Sequence, residues 1–179
     1  FAMELVQDPD PQPKMPILAY AFNETTGTTA YDSTTNGRNG TVYGSTTPAW
    51  QAGIRGNALG FDGVDDYIQT PNVDTPAALT VACWAKGSLP SGLWGNNYGC
   101  FASKTPSFYF SPLPGTRDIR FTVWFGPNPI DYTNLIWNAP TTGFDINTWH
   151  HYAAVFSPTT QRMHIYVDGA LVKSMTAAF

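Results

Sequence analysis

Apolar and polar residues alternate along much of the chain with a period of two, which indicates β-strands. In the segment 119–125, IRFTVWF, the odd positions are all apolar, while Arg120, Thr122 and Trp124 occupy the even positions. This pattern predicts a strand with one buried face and one partly open face. In the segment 79–85, LTVACWA, apolar residues occupy both faces, which predicts a strand that is covered on both sides.

Strand-like runs recur along the chain between clusters of Gly, Pro and Asn, and no helix of ordinary length is indicated. The runs are ILAYAF (17–22), GTVYG (40–44), NALGFD (57–62), DYIQT (66–70), LTVACWAKG (79–87), CFASK (100–104), SFYFS (107–111), IRFTVWFG (119–126), LIWNA (135–139), WHHYAAVF (149–156) and RMHIYVDG (162–169). Many short strands joined by turns predict an all-β fold, an antiparallel β-sandwich. Residues 1–16, which hold four prolines, are interpreted as an extended tether to a single domain over residues 17–179.

The charge distribution narrows the classes of partner. Charged residues make up 12% of the 179 residues, and the formal net charge is −4. The nine Lys and Arg are scattered, so no basic stripe is present and we expect no nucleic-acid partner. No run approaches the roughly 20 apolar residues that cross a bilayer, and we expect no membrane insertion. Cys83 and Cys100 leave two alternatives open, a disulfide bridge between neighbouring strands or two unpaired thiols.

Four longer motifs resemble a known family. ILAYAFNETTGTTAYDSTTNGRNGTVYG, IRGNALGFDGVDDYIQTP, LTVACWAKG and WHHYAAVFSPTTQRMHIYVDGALV follow one another in the order and spacing of LamG-like jelly-roll domains of the concanavalin A-like lectin/glucanase superfamily. The resemblance covers residues 17–172 and implies a jelly-roll β-sandwich. It does not imply one activity, because this fold carries lectins, adhesion modules, hydrolases and spacers.

The resemblance also indicates a missing element. In the family, a further strand and a closing strand follow the YVDG hairpin, and the closing strand returns beside the first strand. Here the sequence ends at Phe179. We therefore expect either a longer molecule or a neighbouring chain that pairs with the open edge along ILAYAF.

Three residues are candidate metal ligands: Asp32, Asn36 and Asp62. The resemblance implies that loops at these positions are ordered in some relatives by calcium. Arg38, however, stands where many relatives carry an amide, and a cation at this position repels a divalent ion. The alternative is that Asp32 closes an Asx turn and that Asp62-Gly63 forms a tight turn.

A hydrolytic function would require paired carboxylates, as in the glucanases of the superfamily. The chain has only two glutamates, Glu4 in the tether and Glu24 in the first turn. We therefore expect no catalysis. His150 and His151 point to opposite faces of a strand. If the following hairpin turns near Thr159, His151 lies opposite Asp168, an arrangement interpreted as structural.

Two loops carry aromatic residues beside amides, a combination that suits saccharides because rings stack on sugars and amides bind hydroxyl groups. The candidate carbohydrate-binding residues are Trp94, Asn96, Asn97, Tyr98, Tyr132 and Trp137. The alternative is that the aromatic rings fill the ends of the sandwich.

Three functions follow in order of preference. The first is a non-catalytic surface recognition or adhesion module that binds a glycan or a surface protein, outside the cell or on a particle such as a virion. The second is a structural or assembly protein, such as a virion decoration or appendage domain or a component of a cell-surface array. The third is a polysaccharide hydrolase.

Overall fold

The chain folds entirely as antiparallel β-structure in the residues that its computed structural model describes, which are 15–44, 49–73, 78–95, 99–126, 128 and 130–177. The strands are Thr29–Ala30 (β1), Gly40–Tyr43 (β2), Ala49–Ala52 (β3), Asn57–Gly60 (β4), Tyr67–Gln69 (β5), Leu79–Ala85 (β6), Ala102–Lys104 (β7), Phe108–Pro112 (β8), Ile119–Trp124 (β9), Tyr132–Trp137 (β10), His150–Ser157 (β11), Arg162–Val167 (β12) and Ala170–Thr176 (β13). The predicted all-β, antiparallel fold class is therefore confirmed. Within the described ranges no helix has the length and apolarity needed to cross a membrane.

The chain divides into two compact units. The first comprises Phe1–Phe61 and Asp65–Val73, and the second comprises Asp62–Val64 and Asp74–Phe179. The single domain expected over residues 17–179 and the tether over residues 1–16 stay predictions.

The first unit contains a three-stranded sheet in the order β1-β2-β5 and the hairpin β3-β4. Its small core is formed by Ala30, Val42 and Leu59, with four partly buried apolar residues packed around them. The predicted strand ILAYAF is wrong, because the segment makes only an isolated bridge between Tyr20 and Asp32. A side chain takes the place of a partner strand here, since the Asp32 carboxylate accepts the backbone N–H of residue 19.

The second unit is a β-sandwich of two four-stranded sheets. One sheet has the order β10-β9-β8-β7 and the other the order β13-β12-β11-β6. Apolar residues from both sheets meet in one core, and β10 packs against β12 and β13 of the facing sheet. The fully buried large side chains include Phe110, Phe121, Leu135, Tyr152 and Ile165.

Strand β9 shows the predicted alternation. Ile119 and Phe121 have no solvent exposure, and Val123 is 5% exposed. Phe125 was predicted on the same face but is 41% exposed, because the strand ends at Trp124 and the chain leaves the sheet there. The alternation places the even-numbered residues on the outer face of the sheet.

Strand β6 corrects the prediction of a strand covered on both faces. It is the last strand of its sheet, and its residues alternate between partly buried and exposed. Ala82 lies on the exposed face, and Trp84 is 49% exposed. The apolar composition of β6 predicted that another layer covers this face, but Ala82 and Trp84 are exposed to solvent.

The hairpin after β11 brings the backbone of His151 opposite Asp168, as the sequence predicts. His164 lies opposite Val155, and the backbone of His151 accepts a hydrogen bond from Asp168 N–H at 2.8 Å. Asp168 and Gly169 form a two-residue turn in which both φ angles are positive, 51° and 80°. These angles match the type I′ turn that an Asp-Gly pair favours between two strands.

Both cysteines are unpaired thiols, so of the two alternatives the unpaired one holds. Cys83 is partly buried and Cys100 is exposed. Desolvation raises the pKa of the Cys83 thiol to about 12, which keeps it protonated as a small apolar side chain.

Because Phe121 lies in the core, we expect its truncation to lower the free energy of unfolding strongly. Because this side chain is fully buried, Phe121→Ala should lower the free energy of unfolding by about 3–5 kcal/mol through lost burial and a residual cavity. Phe125→Ala, which changes an aromatic residue that is 41% exposed, is the matched control and should cost less than about 1 kcal/mol. Urea unfolding followed by tryptophan fluorescence measures both. Equal losses in the two variants would contradict the assigned core.

Candidate functional site

Trp94 lies in the core and not on the surface. It is 8% exposed, and its ring makes edge contacts with Phe101 and Tyr152 at centroid distances of 5.8 and 6.1 Å. Its backbone N–H donates to the Thr116 carbonyl at 2.7 Å. The prediction of Trp94 as a sugar-stacking residue is therefore corrected, because the surrounding glycines and polar residues indicated a loop but not the direction of its indole.

Trp137 is corrected for the same reason. It ends strand β10 on the core face, is 9% exposed, and packs edge-on against Phe144 at 5.1 Å. Three further candidates, Asn96, Asn97 and Tyr98, lie outside the described residues.

Tyr132 is the candidate that the structure places at an open site. It begins strand β10 and is 44% exposed. Its ring lies 5.6 Å from that of Trp124, its cross-strand neighbour on β9. The connection between the two strands is ordered by Asp131, whose side chain accepts a hydrogen bond from the Asn128 amide at 3.0 Å.

A groove of about 300 Å³ opens beside this aromatic pair, on the outer face of strands β8, β9 and β10. Its lining residues are Tyr109, Arg120, Thr122, Trp124, Tyr132 and Asn134. The register explains why they meet, since Tyr109, Thr122 and Asn134 form one row across the three strands. Trp124 and Tyr132 form the neighbouring row.

The floor of the groove is polar and ordered. Thr122 is 3% exposed, and its hydroxyl donates to the Asn134 side-chain carbonyl at 2.7 Å. This bond leaves the NH₂ end of the Asn134 amide, a donor of two hydrogen bonds, on an exposed side chain. The floor can therefore offer amide donors to a ligand without burying an unsatisfied group.

Tyr109 and Arg120 form the other wall. The Arg120 guanidinium lies over the Tyr109 ring at 5.3 Å, in the range of a cation–π contact. The Tyr109 hydroxyl donates to the Gly99 carbonyl at 3.2 Å. Burial raises the pKa of the Tyr109 phenol, so the phenol is neutral at physiological pH.

The sequence carried a signal for most of this groove. The period-two pattern assigned Arg120, Thr122 and Trp124 to the partly open face of their strand, and the structure confirms that assignment. It gave no signal that Tyr109 and Asn134 stand beside them, because that depends on the register between strands.

Asp32 organises a loop of the first unit. Its two carboxylate oxygens accept hydrogen bonds from the N–H groups of Ala19, Thr34 and Arg38 and from the Thr34 hydroxyl, at 2.8 to 3.2 Å. Partial desolvation acts to raise the Asp32 pKa, but these hydrogen bonds outweigh it and hold the pKa at about 2. The bond from Thr34 N–H closes the predicted Asx turn.

The side chains of Asn36 and Arg38 stabilise the same loop through hydrogen bonds. The Asn36 amide and the Arg38 guanidinium both donate to the Ile17 carbonyl, at 3.1 and 2.8 Å. Asp32 is thus surrounded by donors, which stabilise its charge without a metal ion. Calcium at Asp32 and Asn36 stays a prediction that these contacts do not favour.

Asp62 forms the predicted turn. Its carboxylate accepts the Val64 N–H at 2.8 Å, and Gly63 has a positive φ of 77°. The turn accounts for the Asp62 side chain without an ion, so calcium here also stays a prediction.

The histidine pair is a structural feature. His150 Nδ1 donates to the Asp168 carboxylate at 2.6 Å, and the same carboxylate accepts the His151 N–H at 2.8 Å. The Asp168 contact was predicted for the side chain of His151, which instead lies 5.4 Å from the Trp84 ring. The prediction for His151 is wrong because Asp168 lies in the turn after β12, where its side chain contacts His150 at the start of β11.

Comparison with known proteins supports the fold. A family model described as the concanavalin A-like lectin/glucanases superfamily matches residues 62–178, which is well over half of the chain. The search of curated proteins and the search of solved structures each found no match.

The Asp32 contacts predict an acid-sensitive loop. Because the pKa falls from an ordinary 3.8 to about 2 on folding, the carboxylate stabilises the folded state fully above about pH 4. This stabilisation is lost as the pH falls from about 4 to about 2. Asp32→Asn should therefore lower the unfolding midpoint at neutral pH, and the difference from the wild type should shrink over that range.

The matched control is Thr34→Val, which removes one donor to the same carboxylate and should give a smaller difference with the same pH dependence. Thermal unfolding monitored by circular dichroism at a series of pH values measures all three proteins. Parallel pH profiles for wild type and Asp32→Asn would contradict the assignment.

Proposed function

The chain belongs to the concanavalin A-like lectin/glucanases superfamily, and from that membership we propose that it is a non-catalytic surface recognition module that binds carbohydrate in the groove on β8, β9 and β10. The observation that carries the proposal is the aromatic pair Trp124 and Tyr132 beside the hydrogen-bonding floor of Thr122 and Asn134. Such a module would act outside the cell or on a particle surface, as is typical of LamG-like domains.

The aromatic pair supplies a surface for a sugar ring. The two rings lie 5.6 Å apart with an angle of 49° between their planes, so together they form a slanted apolar wall. The C–H face of a pyranose packs well on such a wall. Tyr132 also brings a hydroxyl group that can bond a sugar hydroxyl.

The polar floor of the groove, formed by Thr122 and Asn134, would orient a bound sugar. The bond from Thr122 to the Asn134 side-chain carbonyl fixes the amide, and its NH₂ end is then aimed consistently at a ligand. A small number of fixed polar groups in a partly apolar groove is the usual composition of a site for a small ligand. The volume of about 300 Å³ is at the lower end for such sites, about 300–1,000 Å³, and suits one or two sugar rings.

The composition of the groove supports binding without cleavage. Glycoside hydrolysis typically needs two carboxyl groups, about 5 to 10 Å apart. None of the six lining residues is Asp or Glu. The groove thus offers groups that hold a saccharide and none that would act as its acid or base.

Assembly with a neighbouring chain is the second candidate function. It is favoured by Trp84, which is 49% exposed on the edge strand β6. A large apolar side chain on a sheet edge is suited to contact with another chain.

This second candidate predicts a concentration-dependent mass. Light scattering of the wild type should show oligomers that Trp84→Ala reduces to monomers. A wild type that stays monomeric at all concentrations would reject the assembly role, and it would leave the groove unaffected.

The proposed function predicts that binding depends on the aromatic pair. Trp124→Ala and Tyr132→Ala should each weaken binding to the saccharides selected on a glycan array by about 10-fold or more, because each removes part of the stacking surface. Calorimetric titration of the purified protein measures the affinities.

Trp84→Ala is the matched control, since it removes an exposed tryptophan from the other sheet, and its affinity should equal that of the wild type. Retained secondary structure by circular dichroism shows that each variant folds. A wild type that binds no saccharide, or a control variant that loses as much affinity as Trp124→Ala, would reject the proposal.

A further inference from the structure

We infer that the groove selects acidic saccharides, and that Arg120 recognises their carboxylate or sulfate group. This inference rests on the proposed carbohydrate-binding function and names the chemical class of its ligand. It follows from the charge of the groove, the contacts of Arg120 and the distance between Arg120 and the aromatic pair.

Among the described residues that line the groove, Arg120 is the one charged side chain. The other five lining residues are neutral, and no carboxylate stands among them. The charge of Arg120 is therefore uncompensated by the groove itself. A neutral sugar would leave this cation without a counter-charge, whereas an anionic group would provide one.

The contacts of Arg120 leave its hydrogen-bonding capacity available. Its guanidinium packs on the face of Tyr109 at 5.3 Å, a contact that holds the plane of the group and uses none of its N–H donors. The Nε–H is buried and has no hydrogen-bond partner among the described residues, and in the same part of the chain no carboxylate forms an ion pair with Arg120. Because the buried Nε–H is closed to a ligand, the available donors are the two terminal NH₂ groups, a planar fork that suits the two oxygens of a carboxylate or sulfate.

The spacing along β9 fits a ligand of more than one ring. The Cα atoms of Arg120 and Trp124, four residues apart on one strand and one face, are separated by about 13 Å, and the Arg120 side chain shortens that span by leaning over Tyr109. An oligosaccharide can therefore place one ring on Trp124 and Tyr132 while an acidic group on a neighbouring ring reaches Arg120.

Asn134 provides an independent way to alter the charge of the groove. Its side-chain carbonyl accepts the Thr122 hydroxyl at 2.7 Å, and an Asp at this position keeps that acceptor and nearly the same shape. Asn134→Asp therefore adds a negative charge to the groove with little disturbance of the fold, and it should repel an acidic ligand.

The test compares tetragalacturonate with its methyl ester, which has the same rings without the charges, and with a sulfated tetrasaccharide. Calorimetric titration of the full chain should show tighter binding of the acidic tetragalacturonate than of the ester. Arg120→Gln should weaken binding of the acid by about 10- to 100-fold and should weaken binding of the ester much less, so that the preference for the acid is lost. Asn134→Asp should act in the same direction, and added salt should weaken binding of the acid only.

The outcomes separate the inference from the proposed function. Equal binding of acid and ester, with no effect of Arg120→Gln or Asn134→Asp, would overturn the inference and leave saccharide binding in place. Binding of neither ligand, with an array that selects no other saccharide, would overturn the proposed function together with it. The sulfated tetrasaccharide shows which anion is preferred, and tighter binding of either acid than of the ester supports the inference.

Discussion

The burial of alternate residues on β9 is the constraint on which the second unit and its groove both depend. Ile119, Phe121 and Val123 must enter the core together, because each is at most 5% exposed and a slip by one residue would expose all three. The same constraint forces Arg120 and Trp124 onto the outer face. The position of the outer face is thus a geometric consequence of the core.

The neighbouring strands follow the same rule. On β10, Leu135 and Trp137 face the core while Tyr132 and Asn134 are exposed. On β8, Phe110 is fully buried and Tyr109 lines the groove. Three strands in fixed register therefore bring together side chains that lie between 109 and 134 in the sequence.

The sequence predicted what depends on local pattern and missed what depends on pairing. Period-two alternation identified the face of Arg120 and Trp124, and the Asp-Gly pair identified the turn at Asp62. Composition failed where the environment of a strand decides the outcome, since the apolar strand β6 proved to be an edge that exposes Trp84.

The site prediction failed in a related way. Aromatic residues beside amides in two loops were expected to face a ligand, yet Trp94 and Trp137 are at most 9% exposed. A tryptophan provides more apolar area than any other residue, so burial in a nearby core is strongly favoured over exposure in a loop. The aromatic residues at the groove are instead the half-buried Trp124 and the exposed Tyr132, which strand geometry keeps out of the core.

The charge of the groove also differs from the charge of the chain as a whole. The net charge of −4 repels an anionic ligand at long range, but salt at physiological concentration screens exposed charges beyond about 8 Å. At contact distance the ligand experiences mainly the groups that line the groove, and the charged one among them is Arg120. The charge of the groove at contact distance is therefore set by one side chain whose position the alternation of β9 determines, and not by the overall composition of the chain.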